Sequence, residues 1–176
     1  MKKWIIIPAV VLAAFLAVGY TWFRQQQHSG KVEEKAFDVI LQNLLQHQVN
    51  ELSVQQLDSN YARYIILDSR TQAEFEVSHL PGAIWIGTEK DEQIKQVQRL
   101  PIDQPVVVYC SIGMRSEKAA MHLQETGFAN VSNLYGGIFE WINQQKSLVN
   151  AKGATKDIHG YNLVWAKWIR NGEVIL

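Results

Sequence analysis

The chain has 176 residues, of which 47% are hydrophobic and 19% charged, a composition that suits one globular domain with an apolar appendage. Its 17 basic and 17 acidic residues balance, so no overall field favours a polyanion, and nucleic acid is not an expected partner. A single cysteine, Cys110, excludes an internal disulfide and a Cys-rich zinc site, and the five histidines lack metal-ligand spacing. Neither a metal nor a cofactor is expected.

Residues Trp4 to Phe23 form an uncharged run of twenty, long enough as a helix of about 30 Å to cross the hydrocarbon core of a bilayer. Lys2 and Lys3 precede it, Arg24 follows it, and Trp4, Tyr20, Trp22 and Phe23 stand where interfacial aromatics would sit. The expectation is a transmembrane anchor over residues 1–24, with the N-terminus cytoplasmic and the rest periplasmic or extracellular. The rival reading is a signal peptide cleaved near Ala17-Val-Gly19, which would leave a secreted protein. Beyond residue 24 the chain carries 14 bases (17 less Lys2, Lys3 and Arg24) against 17 acids.

Residues 25–49 read as a polar spacer, Gln25 to Gly30, and then an amphipathic helix. Phe37, Ile40, Leu41, Leu44 and Leu45 form a stripe at helical spacing that is expected to pack on the domain. Four short apolar runs follow: Tyr64–Leu67, Ala83–Ile86, Val106–Tyr109 and Val131–Leu134. Each gives way to a helix-like stretch, an alternation that predicts an α/β domain with a mainly parallel sheet flanked by helices. Val106–Tyr109 is continuously apolar, as a strand covered on both faces should be. Thr71-Gln-Ala-Glu74 has the pattern of a capping box, and Ser116–Thr126 predicts a helix stopped by Gly127. Gly137–Gln145 presents Ile138, Trp141 and Ile142 on one helical face. In such sheets ligands bind beyond the carboxyl ends of the strands, where Asp68 and Cys110 both fall.

Cys110 itself opens a short loop between a strand and a helix start. That position favours an anion, and therefore a thiolate.

Three stretches then resemble the motifs of the rhodanese-like superfamily. Asp68-Ser-Arg70-(x)3-Glu74-Phe75-(x)3-His79-Leu80-Pro81-Gly82 resembles its entry motif. Cys110-x-x-Gly113-x-Arg115-Ser116 resembles its active-site loop, and Leu134-Tyr-Gly-Gly137-Ile-Phe-Glu-Trp141 its closing glycine–tryptophan motif. The resemblance covers roughly residues 50–146, leaving residues 147–176 as an extension expected to pack on the domain. It implies a single-domain sulfurtransferase in which Cys110 takes a sulfane sulfur from thiosulfate or a persulfide, then yields it to a thiol or cyanide. Backbone N–H groups along Ser111, Ile112, Gly113, Met114, Arg115 and Ser116 would stabilise the outer sulfur. Gly113 would let the backbone curl where a side chain would block it, and Arg115 would bind an anionic donor or brace the loop. Asp68, Arg70, Glu74 and His79 are expected in supporting roles, and Trp141 in the core. Attack by a thiolate needs no general base.

Related phosphatases and arsenate reductases place one more residue between cysteine and arginine than the four found here, so sulfur is favoured over phosphate chemistry. Two departures from the family stand out: Ser78 replaces the usual glycine before the histidine, and Ser111 replaces the cation that many thiosulfate-using members carry. The second leaves a protein or small-molecule persulfide open as donor in place of thiosulfate. A sulfur-carrying or redox-sensing module without turnover is the alternative from another class. In the extension, His159-Gly-Tyr161 either packs on the domain or lies over the active-site mouth.

Overall fold

The computed structural model describes residues 30–176. The expected anchor and the first part of the spacer lie outside the described residues, and among the described residues no helix is long and apolar enough to cross a membrane.

In chain order the elements are α1 (Lys35–Leu44), β1 (Asn50–Leu52), α2 (Val54–Ser59), β2 (Ile65–Asp68), α3 (Gln72–Val77) and β3 (Ile84–Trp85). There follow α4 (Lys90–Val97), β4 (Val106–Tyr109), α5 (Met114–Glu125), β5 (Val131–Leu134) and α6 (Gly137–Asn143). The chain closes with β6 (Leu148–Asn150), β7 (Gly153–Thr155), β8 (Asp157–His159), α7 (Leu163–Ala166) and β9 (Glu173–Ile175). The first five strands form one sheet in the order β1-β5-β4-β2-β3, and every pairing in it is parallel.

The central strand explains the layering. Val106, Val107, Val108 and Tyr109 are all buried, and because alternate residues of a strand point to opposite faces they serve two cores. Val107 and Tyr109 join Phe37 and Leu41 of α1, Val54 and Leu57 of α2, and Ile138, Trp141 and Ile142 of α6 on one face. Val106 and Val108 meet Ala119, Ala120 and Leu123 of α5 and Val97 of α4 on the other. Deep burial on both faces, at about 25 cal/mol per Å² of apolar surface, holds the strand whose end carries Cys110. The doubly covered parallel sheet expected from the sequence is present.

Four local readings need adjustment. The strand β1 was not foreseen, since Asn50-Glu-Leu52 is a three-residue edge element without an apolar run. The helix after Cys110 begins at Met114 rather than Ser116, and α6 ends at Asn143 rather than Gln145. The amphipathic stretch after the spacer is helical only from Lys35 to Leu44.

Beyond α6, β6 and β7 form an antiparallel hairpin that bridges back to His79 through Val149. Strands β8 and β9 pair in parallel as a separate two-stranded ribbon. Asn143, at the end of α6, ties this segment down: its side chain donates to the Trp168 carbonyl (2.8 Å) and accepts from the Arg170 N–H (2.7 Å). Trp168 stacks on Phe37 with ring centres 5.2 Å apart, and Arg170 pairs with Glu34.

Candidate active site

Strand β2 ends at Asp68, which lies opposite Tyr109 in the β2–β4 register. Asp68 and Arg70 form a completely buried ion pair: the guanidinium donates to both carboxylate oxygens at 2.6 to 3.1 Å. The same guanidinium donates to the Ser78 carbonyl at the end of α3 (2.6 Å), and Ser69 Oγ donates to the Tyr109 carbonyl (3.0 Å). The ends of β2, α3 and β4 are thereby tied together beneath the loop, a buttress built by groups that bind each other rather than a ligand. Ser78 has φ −171°, ordinary extended backbone, so the departure from glycine there imposes no strain. His79 stacks on Phe75 (3.8 Å) with Nδ1 2.9 Å from the Phe75 carbonyl, holding the turn.

Glu74 does more than cap. The box with Thr71 is formed, with the Glu74 N–H donating to Thr71 Oγ1 and the Thr71 N–H to Glu74 Oε2. The carboxylate also accepts a two-pronged pair of bonds from Arg115 (2.7 and 2.8 Å) and one from Ser111 Oγ (3.0 Å). Burial alone would raise its pKa. The bonds and charge of Arg115, then the Thr71 N–H and the charge of Arg70, outweigh burial and hold the group at about 2.

The loop after β4 curls around Cys110, which is 1% exposed. The Gly113 N–H donates to Sγ at 3.2 Å, and the backbone N–H groups of Ile112 and Ser116 add to the field that favours a charged sulfur. Burial pushes the thiol pKa up, but the Arg115 charge and these donors pull harder, leaving Cys110 below the ordinary thiol value. Ser116 Oγ lies beside the sulfur too. Its single proton points to Asn133 Oδ1 (2.7 Å), since Asn133 Nδ2 is committed to the Gly113 carbonyl (3.0 Å). The backbone N–H groups and Arg115 are therefore the principal stabilisers of a thiolate.

Two glycines shape this cradle for different reasons. Gly113 has φ +113° as the residue before α5, and a Cβ there would meet nothing closer than 3.5 Å. The expectation that a side chain would block the loop is thus corrected: conformation, not crowding, selects glycine. Crowding is added to a left-handed conformation at Gly137 (φ +58°), where a Cβ would lie 2.4 Å from the Cys110 carbonyl oxygen and 2.7 Å from Ile112 N. Its close approach lets the first turn of α6 bond the loop from behind, Ile138 N–H to the Cys110 carbonyl (2.9 Å) and Phe139 N–H to the Ser111 carbonyl (3.1 Å). With those carbonyls held behind the loop, its N–H groups are left to face the sulfur.

The loop residues fall into separate environments. Ser111 and Ile112 are buried, and Ile112 joins the α1–α6 core. Met114 is half-exposed, and Arg115 reaches across to Glu74. A cavity of about 30 Å³ lies over Cys110, bounded by Ser111, Ile112, Met114 and Arg115 together with Tyr161 and Trp165. The Tyr161 ring lies over the Arg115 guanidinium at 5.0 Å. Of the two readings for His159-Gly-Tyr161, Tyr161 is at the mouth, while His159 Nδ1 accepts the Tyr161 N–H within the turn. Trp165 belongs to the extension expected to pack on the domain, and no local pattern signals its position at the mouth.

A family model for the rhodanese-like domain matches residues 49–144. A sulfurtransferase of Allochromatium vinosum is 31% identical over 108 residues, covering 60% of this chain and 99% of that protein. The tRNA uridine(34) hydroxylase of Bdellovibrio bacteriovorus is 31% identical over 84 residues, 46% of this chain and 24% of that one. The chain spans only about a quarter to a third of the length of several such curated relatives. Among solved structures, a rhodanese-related protein from Thermoplasma volcanium matches with a TM-score of 0.51 and 26% identity, over 58% of this chain and 98% of that one.

Proposed function

The chain belongs to the rhodanese-like domain family, and we propose that it is a sulfurtransferase that carries a sulfane sulfur on Cys110. The observation that supports this most directly is the buried Cys110 sulfur, which accepts the Gly113 N–H at 3.2 Å and is held below the ordinary thiol pKa by Arg115 and the loop's N–H groups.

In the first half-reaction the Cys110 thiolate attacks the outer sulfur of a donor. With thiosulfate the donor S–S bond breaks, sulfite leaves with the bonding pair, and Cys110–S–S⁻ remains. With a hydropersulfide R–S–SH, the thiolate R–S⁻ leaves instead and the product is Cys110–S–SH. In the second half an acceptor thiolate attacks the outer sulfur of the persulfide, forming a new persulfide and releasing the Cys110 thiolate; cyanide would leave as thiocyanate. Charge and electrons balance in each step, and no side chain has to take a proton from the nucleophile. The N–H groups act on the terminal sulfur anion as an oxyanion hole acts on oxygen.

Arg115 is held by Glu74, so the loop presents a neutral pair in place of a free cation. This favours a hydropersulfide over dianionic thiosulfate as donor, with a thiol or cyanide as acceptor. We also retain the reading of residues 1–24 as an anchor that holds the domain on the outer side of a membrane, on the strength of the Trp4–Phe23 run.

The test is sulfur transfer by the full-length protein in mild detergent, with thiosulfate and a hydropersulfide as donors. Cys110→Ser should reduce transfer to background. Mass spectrometry of the loaded protein should find a gain of about 32 Da that dithiothreitol reverses. A wild-type rate in the serine variant would sink the mechanism. Loading without onward transfer to any small acceptor would favour a carrier module.

A further inference from the structure

The family match ends at residue 144, yet two of the residues that bound the cavity over Cys110 come from beyond it. We propose that Tyr161 and Trp165 form an aromatic wall that determines which acceptors take sulfur from Cys110, admitting slender nucleophiles and excluding bulky thiols. The proposal rests on the reading of Cys110 as a sulfur carrier.

Four observations carry it. First, the space left over Cys110 is small, about 30 Å³, enough for a group the size of a sulfur atom but not for a bulky thiol. The outer sulfur of a persulfide would fill it, so an acceptor must reach that sulfur past the rim, where Tyr161, Trp165 and Met114 stand.

Second, the wall is attached to the catalytic loop itself. The Tyr161 ring covers the face of Arg115 whose edge is clamped by Glu74, so Arg115 is both the loop's brace and the wall's seat.

Third, the base of the wall is rigid. Asn143 bonds the Trp168 carbonyl and the Arg170 N–H, Trp168 stacks on Phe37, and Asn162 caps α7 by accepting from the Val164 and Trp165 N–H groups.

Fourth, Tyr161 sits at φ +63°, a left-handed conformation rare for an aromatic residue. The turn that imposes it is tightly packed: a Cβ on the preceding Gly160 would lie 2.8 Å from both Ala166 and Val174. Local backbone strain spent on placing one ring over the reactive loop is the pattern of a functional constraint.

The chemistry selected follows from shape. Cyanide or hydrosulfide can approach along the S–S axis through a narrow gap, whereas a glutathione-sized thiol has to displace the ring. Size discrimination of this kind is typically worth about tenfold or more in kcat/KM.

Because Cys110 is the chain's only cysteine, its alkylation reads the same gate without any sulfur chemistry. In the full-length protein, the ratio of fluorescein-maleimide to iodoacetamide alkylation rates should rise about tenfold in Tyr161→Ala/Trp165→Ala. The glutathione-to-cyanide ratio of kcat/KM should rise in parallel. Tyr161→Ala alone, at a half-exposed position, should move both ratios in the same direction by less, and it remains informative if the double variant fails to fold. Tyr161→Phe, which keeps the ring, should behave as wild type. Leu163→Ala, on the exposed side of α7, should change neither ratio. Unchanged ratios in Tyr161→Ala and in a folded double variant would overturn the wall. Alkylation selectivity that disappears with the wall, in a protein that transfers no sulfur, would uphold the wall and refute the sulfurtransferase reading.

Discussion

Replacing Glu74 by Gln isolates the charge that links α3 to the catalytic loop. The amide keeps the size of the side chain and one oxygen for the Thr71 N–H, but it cannot accept both Arg115 bonds. A carboxyl held at about 2 against an ordinary 4.5 corresponds to about 3 kcal/mol of stability contributed by its ionised form. Arg115 is 24% exposed, so solvent screens part of this, and a loss of about 2 kcal/mol in Glu74→Gln is expected at neutral pH. The sign follows from the depressed pKa: the contribution is complete above about pH 5 and is lost as pH falls through about 2. Urea unfolding of wild type and variant, from pH 6 down to pH 2, should therefore give a stability gap that narrows to a few tenths of a kcal/mol. A second readout is the pH profile of Cys110 alkylation by iodoacetamide. Freed from its counter-charge, Arg115 should stabilise the thiolate further and shift the profile to lower pH. A gap independent of pH, or a profile shifted upward, would refute the assignment of Glu74 as the counter-ion that moderates Arg115.

Gly137→Ala should destabilise the protein by about 3 kcal/mol and impair sulfur transfer, because its Cβ would press on the Cys110 carbonyl; thermal unfolding and activity check both. Gly113→Ala carries only conformational strain, about 1–2 kcal/mol, so the reverse order of damage would contradict the division of roles between the two glycines. Asp68→Asn leaves the buried Arg70 charge without its counter-ion and should cost about 3–5 kcal/mol in denaturant unfolding. Asn143→Ala removes the bonds to Trp168 and Arg170, at about 2 kcal/mol, and should hasten tryptic cleavage after Lys167 or Arg170.

The parts legible in the sequence are those with a local physical cause. Val106–Tyr109 is continuously apolar because both of its faces are covered, so its strand could be placed to the residue. Thr71 and Glu74 stand three apart, the distance at which each side chain meets the other's backbone N–H, so the capping box was legible too. Cys110, Gly113 and Arg115 fall within six consecutive residues where the loop passes into α5, and their order carried the resemblance to the family and the proposed nucleophile. By contrast Asn50–Leu52 gains its place only by pairing with β5, and three residues on a sheet edge leave no pattern to read. The start of α5 was misplaced because Gly113, not Ser116, is the residue that precedes its first turn.

What the chain determines by itself is thus the place of its one thiol at a strand end, the loop that holds it and the parallel sheet beneath, each written in residues close together or at a regular period. Only the tertiary structure decided that Glu74 neutralises Arg115 from 41 residues away. It also decided that Gly137 lets α6 hold the loop carbonyls behind the sulfur, and that Tyr161 and Trp165 stand at the mouth over it. Those three relations depend on where the ends of separate elements meet in space, and the meeting is set by how the two cores pack around the sheet.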